Sequence, residues 1–143
     1  MGAHPSALAA IFGHGTPTDP EELGEEPRAL LLAFEGLAGA HLALRPAVRA
    51  ASRGTSALWK GVRFDHGGNA GANVALGRAI ARFRAERAPS LIDAEPALVL
   101  SYDKAGFPWS KLRDELRTVA DGIAIGPTFR GGSLVGWFGL SRR

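Results

Sequence analysis

Tyr102 and Asp103 stand at the end of the apolar run Pro96-Ala97-Leu98-Val99-Leu100-Ser101. A carboxylate ending such a run, if desolvated, holds its proton to higher pH and suits proton transfer to or from a bound molecule. The alternative is structural, because an aspartate before Lys104-Ala105-Gly106 is also a good turn former. His66 is the second candidate acid or base, since it follows Asp65 and opens the glycine-rich stretch Gly67-Gly68-Asn69-Ala70-Gly71. The candidate catalytic residues are therefore Asp103, His66 and Tyr102, with Asp103 first.

A second group of residues has the chemistry of apolar recognition. Trp59, Trp109, Phe129, Trp137 and Phe138 bring more aromatic surface to the chain's β-like segments than a closed core of this length needs. Arg63 and Asp65 share a strand face with Trp59 and would orient a bound molecule. The expected ligand-binding residues are Trp59, Arg63, Asp65, Trp109, Phe129 and Trp137.

Several other chemistries lack their residues. There are no cysteines, which excludes disulfides, thiolate metal sites and cysteine nucleophiles. None of His4, His14, His41 and His66 lies three or four residues from another, so no metal site is expected. The glycines around 67–71 match neither G-x-G-x-x-G nor G-x-x-x-x-G-K-[ST], and no G-x-S-x-G elbow occurs. No cofactor is expected.

With 143 residues, 45% of them hydrophobic and 22% charged, the composition is that of one globular domain. Charge is uneven: residues 1–52 carry three Arg against six Asp and Glu, and the remainder 14 Lys and Arg against eight Asp and Glu. The basic residues alternate with apolar ones instead of clustering with exposed aromatics, which reads as a solvated sheet face and not a nucleic-acid surface. The longest apolar run, residues 29–44, falls short of the ~20 residues that span a bilayer and contains Glu35 and His41. No basic start precedes an apolar region near Met1, so a cytoplasmic protein without membrane partners is expected.

The elements that would position these residues come in two blocks. Residues 1–18 have no sustained periodicity and read as a flexible lead-in to a single domain over 19–143. Asp19-Pro20-Glu21-Glu22 starts a short helix, with Asp19 as cap and Pro20 in the first turn. A second helix from Pro27 places Leu30, Phe34, Leu37 and His41 on one stripe, and another turn of helix covers 47–52. Strands follow over 56–65, over the second half of 74–88, and at 96–103, whose two apolar faces place it mid-sheet. The i, i+3, i+4 spacing of Trp109, Leu112, Leu116 and Val119 predicts an embedded helix ended by Gly122. Residues 123–126 and 133–140 then form a hairpin around Gly131-Gly132. The expected class is α+β: N-terminal helices packed on a mainly antiparallel, curled, barrel-like sheet.

The order of Trp59-Lys60-Gly61-Val62-Arg63-Phe64-Asp65, Leu98 to Asp103, Leu112-Arg113-Asp114-Glu115-Leu116-Arg117, Gly122 to Gly126 and Gly136-Trp137-Phe138-Gly139-Leu140 resembles the GxWxG-type domain family of unknown function. These are small lipocalin-like β proteins, and the similarity runs over residues 20–143. The namesake motif would fall at Gly24 to Ala29, where the tryptophan and second glycine are missing, and Val62 replaces the family lysine after Gly61. The resemblance implies a lipocalin-like sheet around an apolar pocket. Two functions fit it: binding of a hydrophobic small molecule, or a cofactor-independent cyclase or isomerase acting on a polyketide- or terpenoid-like substrate in the same pocket. Apart from the resemblance, the basic sheet face offers a third option, an interaction module.

Overall fold

The computed structural model describes residues 5–34, 61–75, 78–106 and 109–143. Two helices, α1 (Pro5–Gly13) and α2 (Pro20–Leu23), flank the short strand β1 (Thr16–Pro17). Strands β2 (Arg28–Phe34), β3 (Gly61–Phe64), β4 (Ala70–Ala75), β5 (Arg78–Pro89) and β6 (Pro96–Ser101) follow. One turn of 3-10 helix, Trp109–Lys111, leads into β7 (Leu112–Ala120), β8 (Ile123–Arg130) and β9 (Ser133–Ser141). From β2 to β9 each strand pairs antiparallel with the next, and β9 returns to pair with β2. The sheet is therefore a closed, up-and-down barrel of eight strands, which leaves no long open edge. β1 adds two residues to β7, at Arg117 and Thr118.

The barrel corrects the α+β expectation to a mainly β fold, and three elements carry the change. Arg28–Phe34 is a strand, not the start of a helix: Leu31 pairs with Phe138 of β9 and faces the interior, while Leu30 is exposed. The rest of that expected helix, and the turn of helix at 47–52, lie outside the described residues. Leu112–Ala120 is likewise a strand, with Leu112, Asp114 and Leu116 pointing in and Glu115 and Arg117 pointing out. Gly122, at φ +68, turns the β7–β8 hairpin instead of ending a helix. The third is α1, which forms within the expected lead-in and buries Leu8 and Phe12 against Ala97, Ile125 and Trp137 on the outside of the barrel.

Other expectations match. Asp19 caps α2 by accepting from the Glu21 amide at 3.0 Å, with Pro20 in the first turn. β6 is buried on both faces, and the β8–β9 hairpin turns at Gly131 and Gly132, both at positive φ.

Among the described residues, the inward-facing side chains divide the barrel into a packed end and an open end. Leu98, Leu116, Ala124, Leu140, Phe64 and Ala85 belong to one buried cluster, which Leu23 of α2 joins. Two residues further along the same strands stand Leu100, Asp114 and Phe138, and beyond them Tyr102, Leu112 and Gly136. Space opens among this second set. Where strands come closest no side chain fits: a Cβ on Gly126 would lie 1.4 Å from the Glu115 carbonyl oxygen.

Candidate functional site

A cavity of about 360 Å³ occupies the open end of the barrel. Leu31, Ala75, Ile80, Trp109, Leu112 and Phe138 give it an apolar lining. One wall is polar, and its groups form a chain. The Asn73 Nδ2 donates to the Tyr102 hydroxyl at 2.9 Å, Tyr102 donates to Asp114 Oδ2 at 2.7 Å, and the Thr128 hydroxyl donates to Asp114 Oδ1 at 2.7 Å.

The strand register puts these four side chains together. Asn73 comes from β4, Asp114 from β7 and Thr128 from β8, where Asp114 and Thr128 are directly paired. Tyr102 lies one residue past β6, in step with Leu98 and Leu100. Its ring stands edge-on to Phe83 at 5.7 Å, and Phe83 stands edge-on to Phe64 at 5.8 Å. This aromatic file fixes where the phenol points.

Burial sets the proton affinities. Desolvation pushes the Asp114 carboxyl up to about 6, against the pull of the hydrogen bonds from Thr128 and Tyr102. Tyr102 is 1% exposed. Burial, followed by the nearby Asp114 charge and the hydrogen bond to it, raises its hydroxyl well above the ordinary range. The site thus holds a carboxyl that changes protonation near neutral pH beside a phenol that stays protonated. That pair can hold and exchange a proton at Asp114, or fix the polar end of an otherwise apolar molecule.

The residues singled out in the sequence are dispersed by the barrel. Tyr102 and Trp109 line the cavity, and Trp137 borders it. The Trp137 ring itself packs edge-on to Phe12 at 5.7 Å in the outer cluster under α1. Phe129 is buried but does not line the cavity, because it follows the inward-facing Thr128 and alternation puts it on the other face of β8. Asp103 is exposed in the turn after β6 and pairs with Arg84 at 3.2 Å, so it is not the desolvated carboxylate the sequence suggested. His66 is exposed in the β3–β4 turn, and Asp65 is exposed and paired with Arg82 at 2.8 Å. Arg63 pairs with Glu26 at 2.9 Å and lines a separate polar groove. Trp59 lies outside the described residues.

Asn73, Asp114 and Thr128 escaped the sequence reading. The signal for Asp114 is Leu112-x-Asp114-x-Leu116, which in a strand puts a carboxylate on the same inward face as two leucines. Read at helical spacing, the same residue falls among solvated charges.

Among the described residues no cluster of three or more His, Asp and Glu could hold a metal ion, and no helix is long and apolar enough to cross a membrane. No family model matches the chain, and no curated protein matches it significantly. A protein from Thermomonospora curvata, known from its crystal structure, superposes with a TM-score of 0.64 at 15% identity, over 99% of this chain and 89% of that one. At that identity the likeness is one of fold: both chains form the same kind of barrel.

Proposed function

We propose that the barrel binds a hydrophobic small molecule in the cavity at its open end, with the Asn73–Tyr102–Asp114–Thr128 wall orienting the molecule. The observation that carries this reading is the combination of an apolar lining with one convergent polar wall, in a space of about 360 Å³. That is within the size range of small-molecule sites, and so many apolar side chains left unpacked in a closed core would otherwise only cost stability. The resemblance to lipocalin-like GxWxG-type proteins points the same way.

The test is fluorescence titration with N-phenyl-1-naphthylamine, a neutral probe that brightens in apolar sites. Saturable enhancement is expected, and it should be lost when Ala75→Phe fills the cavity while the circular dichroism of the barrel is retained. No enhancement, or enhancement unaffected by the filled cavity, overturns the reading.

A second reading has its own support. Asp114, with its carboxyl near 6 and a neutral phenol at hydrogen-bonding distance, has the makings of a general acid and base. On this reading the protein is a cofactor-independent isomerase or cyclase, and Asp114→Asn abolishes turnover of its substrate while leaving substrate affinity nearly unchanged.

A further inference from the structure

Among the described residues, the wall that orients the ligand carries a charge with no counterion. Among the described residues, no Lys, Arg or His pairs with Asp114; the ion pairs of the barrel form elsewhere, on its outer surface and around β7. Nor does any basic side chain among the described residues line the cavity. Both Asp114 oxygens accept one hydrogen bond each, from the neutral hydroxyls of Tyr102 and Thr128. Hydroxyl donors stabilise a carboxylate but leave its net charge intact, and buried charges are ordinarily paired. The remaining lining is aliphatic and aromatic, including Trp109, whose indole face attracts a cation.

We propose that the cavity selects a lipophilic amine, its ammonium group paired with Asp114 and its apolar body lying along Leu31, Ile80, Leu112 and Trp109. This rests on the small-molecule reading above and narrows it. An apolar carboxylate of the same shape is rejected, because it would set a second negative charge beside Asp114 in a poorly solvated space. A neutral alcohol is accepted less well, since it supplies a donor without a charge.

The selection is tied to pH. Asp114 faces Tyr102 from the end of β6 and Thr128 from β8, with Asn73 of β4 behind Tyr102. Thr128 and Asn73 do not titrate, and burial keeps Tyr102 protonated far above neutrality. Asp114 is therefore the group on this wall that changes charge between pH 5 and pH 7.5, losing its ability to pair as it is protonated around pH 6.

Three probes sharing one ring system decide the matter: 1-naphthylmethylamine, 1-naphthylmethanol and 1-naphthoate. Each is on the order of a dozen non-hydrogen atoms, a size suited to a small site. They are titrated calorimetrically into the unaltered protein at pH 7.5 and pH 5, alongside the neutral probe N-phenyl-1-naphthylamine. At pH 7.5 the amine should bind at least tenfold more tightly than the alcohol, and the carboxylate most weakly. Between pH 7.5 and pH 5 the amine should lose about tenfold in affinity while the alcohol changes little, as expected for a carboxylate titrating near 6. Asp114→Asn should bring amine and alcohol within threefold of each other. The pH comparison makes the same point without any substitution. If the neutral probes bind and the amine has no advantage, or the carboxylate binds best, the selection is refuted and the pocket stands. If none of the four binds, the pocket and the selection fall together.

Discussion

Tyr102 donates its phenolic hydrogen to Asp114 across 2.7 Å, from just past the end of β6 to near the start of its neighbour β7. Both residues face the barrel interior, so the bond forms where water is scarce and the carboxyl is pushed up to about 6. A carboxyl raised in the folded state destabilises the fold where it is ionised. Its protonated form contributes stability that is complete below the unfolded value near 4 and is lost as pH rises through about 6. Unfolding free energy should therefore fall by about 2 kcal/mol between pH 4 and pH 7.5 on account of Asp114. Urea denaturation of the unaltered protein and of Asp114→Asn over that range checks this: the variant's relative stability should rise with pH and level off above 7. A constant difference would show that Asp114 titrates normally.

Removing the phenolic oxygen tests the other side of the bond. Tyr102→Phe leaves the Asn73 amide and one Asp114 oxygen without their partner, at a cost of about 1–3 kcal/mol. It also removes a hydrogen bond that favours the ionised carboxyl, so the Asp114 carboxyl should titrate higher in the variant. Carbon-detected NMR of the Asp114 carboxyl gives the shift directly. A carboxyl titrating lower in the variant would contradict the assigned hydrogen-bond direction.

How far the sequence discloses this site depends on which period a segment obeys. β6 and the β8–β9 hairpin are legible because the two apolar faces of the one and the paired glycines of the other agree with the final pairing. β7 is not. Its outward residues Glu115 and Arg117 are charged yet 0% and 2% exposed, held under the 90–95 loop and α1, while Asp114 faces inward. With charges on both faces the alternation of two disappears, and Leu112, Leu116 and Val119 are left to mimic a helical stripe. The partners that explain those charges are distant in the chain, so local reading has no access to them. Tyr102 could be placed in the interior because it keeps step with Leu98 and Leu100. Its neighbour Asp103 could not be judged, since only the turn geometry decides that it meets Arg84 at the surface.

That surface position makes a contrast with Asp114. The Arg84–Asp103 pair is exposed on both sides, at 55% each, and exposed pairs of this kind contribute little. Asp103→Asn should change stability by less than about 0.5 kcal/mol and leave N-phenyl-1-naphthylamine binding unchanged. Denaturation and fluorescence titration of the variant check both. A loss of binding would place Asp103 in the ligand's path after all.

The network outside the barrel should be the more fragile one. Arg117 is 2% exposed, holds Asp93 through two bonds of 2.7 Å, donates to the backbone carbonyls of Phe12, Glu95 and Pro96, and lies 4.2 Å over the Phe12 ring. One guanidinium thus ties together α1, the 90–95 loop and β7. Arg117→Leu takes a donor from three carbonyls, of which Phe12 and Glu95 keep the backbone amides of Gly15 and Ser90, and leaves the partly exposed Asp93 carboxylate unpaired, so it should cost about 3 kcal/mol. The hydrogen bond from Arg117 also holds the Asp93 carboxyl below its usual range. A depressed carboxyl contributes stability that is complete above the unfolded value near 4 and disappears as pH falls through the folded one. Asp93→Asn should therefore be less stable than the unaltered protein at pH 7, with the gap closing below pH 4. Hydrogen exchange adds the location: in Arg117→Leu the amides of α1 should lose protection before those of β8 and β9. Equal loss across the barrel would mean that Arg117 supports the whole fold and not the junction of helix and loop.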